Sequence, residues 1–247
     1  MKRILLLFLV ASAGLLLLWG GVAQASGKCS RMRSWLRQGG GGASGLVVVD
    51  AETGKTVCAA SPGRQRPLAS NMKLFTTSTV LSRLEPETRI PTKLFRDGPV
   101  DSHGVLHGSL YLQGGGDPAL GTPSFYDGYL AGLGTNLLDL TPQIKAAGIT
   151  SVTGRLYADD TIFDRLRGVA DSGYATSSYI GPLSGLDFNS GFSGSTSSSG
   201  FASDQAKLAA TTLAGSLRSA GISIPSQVAY GRPRPTPNGW ESSSPPP

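Results

Sequence analysis

One serine hydroxyl and one lysine amine stand three residues apart in Ser70-Asn71-Met72-Lys73. On a helix that spacing puts both side chains on one face. A serine is a weak nucleophile until a base takes its proton. A lysine can be that base only where burial disfavours its ammonium form. The start of a helix adds backbone N–H donors for a developing oxyanion. Ser70 as nucleophile and Lys73 as base would therefore perform acyl transfer. No other Ser-x-x-Lys pair occurs in the 247 residues. A serine N-cap followed by a solvent-facing lysine is the plain alternative for the same four residues.

The flanking sequence predicts the elements that would position this pair. Leu46–Val49 reads as a buried strand, Ala51–Gly54 as a turn and Lys55–Ala60 as a returning strand. An irregular loop from Pro62 to Pro67 leads to a helix over 70–84, stopped by Pro86. Its apolar residues (Met72, Leu74, Phe75, Val80, Leu81, Leu84) cover much of its circumference, and Lys73 is the only charge in its first three turns. A helix without a charged face is expected to be buried. Upstream, residues 28–38 form a short helix ended by Gly39–Gly42. Past Ile90, strands are expected at 106–112 and 152–158, with a turn at Gly114-Gly115-Gly116-Asp117-Pro118. Helices are expected near 136–147 and from Ser203 to Gly221, the second with the stripe Ala206, Ala209, Ala210, Leu213 and Leu217. Residues 193–200 are low in complexity, and the Pro-rich tail 231–247 has no core-forming pattern.

Lys2 and Arg3, an apolar run from Ile4 to Trp19 and then Ala23-Gln24-Ala25 read as a secretory signal peptide over residues 1–25. The expected location is secreted, in the periplasm or cell envelope. Without the leader, 20 basic residues face 16 acidic ones. They are scattered, which argues against a nucleic-acid partner and fits weak attraction to an anionic wall or membrane surface. Membrane contact is expected only through the signal segment. Export makes a Cys29–Cys58 disulfide plausible, and two separate buried thiols are the other reading. His103 and His107 lack a third ligand, and Asp159, Asp160 and Asp164 read as a strand end with a solvated turn. The proposed chemistry requires no cofactor and no metal.

Val47-Val48-Val49-Asp50-Ala51-Glu52-Thr53-Gly54, followed by Pro67-Leu68-Ala69-Ser70-Asn71-Met72-Lys73-Leu74, resembles the start of a penicillin-recognising serine enzyme. His107–Leu112 running into Gly114–Pro118, Val152–Leu156 with Asp159-Asp160, and Tyr179–Asn189 narrow this to the D-alanyl-D-alanine carboxypeptidase/endopeptidase family of the penicillin-binding protein 4 type. The resemblance spans roughly 44–230. It implies an α/β fold: a partial β-lactamase/transpeptidase-like domain, an antiparallel sheet flanked by helices, with a mainly β inserted region. The domains would be 26–89 (the N-terminal part bearing the Ser-x-x-Lys helix), 90–230 (an inserted α+β region) and the 231–247 tail. The implied activity is serine-type cleavage of peptidoglycan stem peptides through an acyl-enzyme on Ser70, with β-lactams as covalent inhibitors. The family also carries Ser-x-Asn and Lys-Thr-Gly elements. None of the four Asn has a Ser two residues earlier, and no Lys precedes Thr-Gly or Ser-Gly. The chain therefore reads as an N-terminal portion that ends before half of that active site. The alternative function is a non-catalytic envelope remnant that contacts peptidoglycan.

Overall fold

The computed structural model describes residues 27–169, 171, 173–233 and 241–243. The expected signal peptide and most of the Pro-rich tail lie outside the described residues. The chain divides into two compact units, one ending at Leu84 and the other beginning at Glu85.

The first unit holds helix α1 (27–40), strands β1 (Leu46–Val49) and β2 (Thr56–Ala60), a 3-10 turn (Ala69–Asn71) and helix α2 (Met72–Arg83). The strands form an antiparallel hairpin with a register shift between Val48 and Val49. Asp50 closes its turn. The carboxylate accepts hydrogen bonds from Thr53 N and Thr53 Oγ1, both at 2.7 Å, and Gly54 takes a positive φ of 67°. These Thr53 hydrogen bonds favour the ionised carboxylate and hold the Asp50 pKa below the usual range. Cys29 of α1 and Cys58 of β2 form the disulfide, with their Cα atoms 5.4 Å apart. Arg33 adds a second tie, donating from Nε to the Ala59 carbonyl at 2.9 Å. Arg66 secures the loop toward Ser70 by donating to the carbonyls of Ala43 (2.7 Å), Ser44 (2.9 Å) and Ser61 (3.2 Å).

The second unit is built on a five-stranded mixed sheet. Along the chain come β3 (Lys93–Arg96), β4 (Val105–Leu106), β5 (Leu110–Gln113), β6 (Leu120–Gly121), α3 (Pro123–Tyr129), β7 (Thr135–Asn136), α4 (Leu140–Ala146), β8 (Ser151–Val152), β9 (Leu156–Asp159), α5 (Gln205–Ser219), β10 (Val228–Tyr230) and β11 (Glu241–Ser243). The sheet order is β10-β9-β5-β3-β11, with β5, β9 and β10 mutually parallel and β3 and β11 joined antiparallel. Parallel neighbours need crossover connections. Helices α3 and α4 lie in the first crossover, and α5 forms the second. The expected α5 stripe is buried throughout, in one core cluster with Leu112, Leu156 and Ala158 of the sheet and Leu140 and Ile144 of α4. Asp204 caps α5 by accepting from Lys207 N at 3.0 Å, one residue after the expected Ser203, and Gly221 ends it with φ +85°. The α/β class therefore holds, with a mixed sheet in this unit.

Two local expectations change. The tail was read without an element, yet Glu241–Ser243 pair with Lys93–Phe95 as an edge strand. Backbone pairing at an edge needs no apolar pattern. The strand expected over 106–112 is split at His107-Gly108-Ser109, because Asp97 takes the Ser109 N–H at 2.6 Å and the Tyr111 hydroxyl at 2.6 Å. No helix among the described residues is long and apolar enough to cross a membrane.

Candidate active site

Ser70 occupies the 3-10 turn that runs directly into α2, and Lys73 is the second residue of that helix. The hairpin and the Arg66-bound loop deliver the chain to this point. Ala69, just before Ser70, has φ +45°, a left-handed conformation that an alanine adopts at a cost of about 1 kcal/mol or more. Such strain beside a candidate nucleophile turns the backbone sharply at the position where chemistry is expected. The N-cap of α2 is Asn71, and it makes no side-chain cap bond. Ser70 therefore does not serve as the helix cap.

Sequence spacing correctly placed Ser70 and Lys73 at one helix start, but the surroundings differ from expectation. The helix was expected to be buried, supplying a dry environment for Lys73. Instead no residue of Met72–Arg83 is buried, and Ser70 and Lys73 are both exposed. Leu74, Phe75 and Leu81 keep 67%, 60% and 66% of their surface in water. The physical reason is the size of the unit. A two-stranded hairpin and two helices cannot enclose a helix that is apolar on all sides. Among the described residues, neither Ser70 Oγ nor Lys73 Nζ takes part in a side-chain hydrogen bond. Three clefts among the described residues of the second unit, of about 320, 570 and 840 Å³, are lined by other residues.

Residues 31–194 match the D-Ala-D-Ala carboxypeptidase 3 (S13) family. The chain belongs to that family. The S13 match includes the whole Ser70–Lys73 segment and most of the second unit. A D-alanyl-D-alanine carboxypeptidase from Actinomadura sp. (strain R39) is 35% identical over 148 residues, which is 58% of this chain and 25% of the relative. The chain thus spans about a quarter of the length of that relative. Penicillin binding protein 4 from Haemophilus influenzae, a solved structure, is 22% identical, with a TM-score of 0.48 over 60% of this chain and 30% of that one.

The stretches of the second unit on which the resemblance was drawn mostly have packing roles. The glycines of Gly114-Gly115-Gly116 allow backbone contact: a Cβ on Gly114 would strike Gly185 O, and Gly116, at φ +84°, faces the Phe163 ring. Gly116 N donates to Gly185 O at 2.8 Å, joining this turn to the 184–189 segment. Asp159 ends β9 as expected and Asp164 in the turn beyond is exposed, but Asp159 and Asp160 themselves are buried. Asp159 accepts from Gln113 Nε2 at 2.7 Å and Thr161 N at 3.0 Å, while Asp160 pairs with Arg167 Nη2 at 2.7 Å. An Asp doublet closing a strand, with two arginines following, was the available signal for an internal pair. His107 bonds Asp101 at 2.8 Å, and the Val105 N–H, with the His107 bond second, holds the Asp101 pKa down at about 2. No group of three His, Cys, Asp or Glu among the described residues is placed to hold a metal.

Sequence reading gave no hint of two further carboxylate environments. Asp187 has a buried Oδ1 without a hydrogen-bond partner. Burial, aided by the nearby Asp117 charge, raises its pKa to about 7. Asp204 accepts from the Tyr230 hydroxyl at 2.7 Å as well as capping α5.

Proposed function

We propose that this chain carries the nucleophile-bearing part of a serine-type D-Ala-D-Ala carboxypeptidase/endopeptidase acting on peptidoglycan stem peptides. Ser70 Oγ attacks the D-Ala-D-Ala peptide carbonyl as its proton passes to Lys73 Nζ. That proton leaves with the departing amine, and water then hydrolyses the ester. β-Lactams acylate the same hydroxyl. In this reading residues 26–89 bear the nucleophile, 90–230 are inserted material, and the leader sends the chain to the envelope. The Cys29–Cys58 disulfide is consistent with an oxidising compartment.

The observation that carries this reading is the Ser70/Lys73 pair at the strained junction into α2, inside the S13 match. The exposure of Lys73 bears on how strongly the chain reacts by itself. Solvent reaches both Ser70 and Lys73, so the pair is not shielded from water. Acylation is therefore expected to be slow until α2 is covered. A labelled penicillin tests the assignment: a covalent adduct that disappears in Ser70→Ala supports it. Absence of any adduct on intact protein would favour the second reading, a non-catalytic peptidoglycan-contacting remnant, which the exposed Lys73 also fits.

A further inference from the structure

Residues 61–69 join β2 to Ser70. Each end of this loop carries a left-handed residue other than glycine, Ser61 at φ 46° and Ala69 at φ 45°. Such backbone persists only where its surroundings over-determine it. Arg66 supplies that restraint. Its guanidinium donates from Nε to Ala43 O at 2.7 Å and from Nη2 to Ser44 O at 2.9 Å. From Nη1 it donates to Ser61 O at 3.2 Å and to Arg64 O at 2.6 Å. All of these acceptors are main-chain carbonyls, taken from the connection ahead of β1 and from the loop itself. A planar fork of donors can hold such a set, and a compact ammonium cannot. Gly45 is the seat of the fork. A Cβ there would lie 2.5 Å from Cζ of Arg66 and 2.6 and 2.7 Å from its two Nη atoms.

We propose that Arg66, seated on Gly45, is a positioning residue for Ser70, holding Ala69 in its left-handed turn and so fixing the direction in which Ser70 Oγ attacks. This role rests on the reading of Ser70 as the nucleophile. The route from clamp to hydroxyl is short. Pro67 has a fixed φ and biases Arg66 toward extended backbone. Only Leu68 and Ala69 then separate this stiff pair from Ser70. Right-handed backbone at Ala69 is the unstrained state, so a released loop relaxes toward it and turns Ser70 away. A displacement of about 1 Å at a reacting atom is enough to cost about a hundredfold in rate. The contacts of Arg66 all lie ahead of α2 and do not depend on what surrounds that helix.

Time courses of labelling at several concentrations of a labelled penicillin separate the acylation rate constant from the half-saturating concentration. Arg66→Ala should lower the rate constant by about tenfold or more and leave the half-saturating concentration in place. Gly45→Ala keeps the arginine but displaces it, so it should act in the same way. The double variant should be no slower than the slower single one, because both remove one clamp. Arg66→Lys should not restore the rate. Ala69→Gly added to Arg66→Ala should recover most of the loss, since glycine takes the left-handed turn unaided. A merely structural role for Arg66 would gain nothing from that change. Trypsin reads the clamp without penicillin: the Arg66–Pro67 bond resists it, and cutting at Arg64–Gln65 should quicken about tenfold in both single variants. If circular dichroism shows Arg66→Ala misfolded, Gly45→Ala, which adds one methyl group, decides alone. An undiminished rate in the single variants, multiplied losses in the double variant or no recovery by Ala69→Gly overturns the proposal. So does unchanged trypsin cutting. A wild-type chain without a Ser70-dependent adduct overturns the nucleophile reading, and the positioning role with it, even where faster cutting still reveals the clamp.

Discussion

The two units solve the same problem by opposite means. The second has a continuous core from Leu94 to Ile224, in which α5, α4 and the central strands bury their apolar faces. Among the described residues of the first, the buried hydrophobic side chains are Cys29 and Cys58, which are bonded to each other. A covalent tie, the Arg33 and Arg66 hydrogen bonds and the Asp50 turn do there what side-chain packing does in the second unit. The residues proposed for chemistry lie in the unit without a closed core. Positioning of Ser70 therefore depends on backbone geometry and crosslinks, while its environment remains open to whatever covers α2.

Two substitutions to alanine sharpen this contrast most. Leu213 in α5 is fully buried, and Leu213→Ala should cost about 2–5 kcal/mol in thermal or urea unfolding of the second unit. Leu81→Ala in α2 removes the same atoms from an exposed site and should change stability by less than about 0.5 kcal/mol. Similar losses at both positions would mean that α2 is covered and that the contrast fails. Reducing the disulfide should act on the other side. A separation of 29 residues corresponds to about 3.5 kcal/mol in the chain-entropy limit. Hydrogen exchange should then rise across 27–84 and remain unchanged across 94–224. Equal deprotection of both segments would show that the two units unfold together.

How much of this was legible follows the same division. In the second unit the α5 stripe was readable because helical spacing and burial coincide there. The Gly114–Gly116 turn was visible as a turn, but its reason, backbone against Gly185, involves a partner some seventy residues away that local pattern does not encode. Burial of Asp159 was missed for the same reason, since its partner Gln113 lies 46 residues away, whereas the Asp160–Arg167 pair spans only seven residues and was signalled by the arginines after the doublet. In the first unit the order of elements and the Ser70–Lys73 spacing were clear. The solvent around them was not, because periodicity reports that a helix could be buried and says nothing about whether a cover is present.

The finest test of the contrast is a single carboxyl. The second unit, closed enough to exclude water, leaves Asp187 Oδ1 without a partner and raises the pKa to about 7, chiefly by desolvation. A carboxyl whose folded pKa exceeds its unfolded value keeps its full contribution below the unfolded pKa and loses it as pH rises to the folded one. The loss should therefore build from about pH 4 to about pH 7 and level off above that. Asp187→Asn cannot ionise, so its stability relative to wild type should rise over that window, by a few kcal/mol at most. Thermal midpoints of both proteins at the two ends of the window measure it. Parallel pH profiles would mean that Asp187 is hydrated in solution and that this part of the second unit is as open as α2. A Ser70→Ala protein should show the same profile as wild type, because that residue lies outside the closed core and ionises nothing in this range.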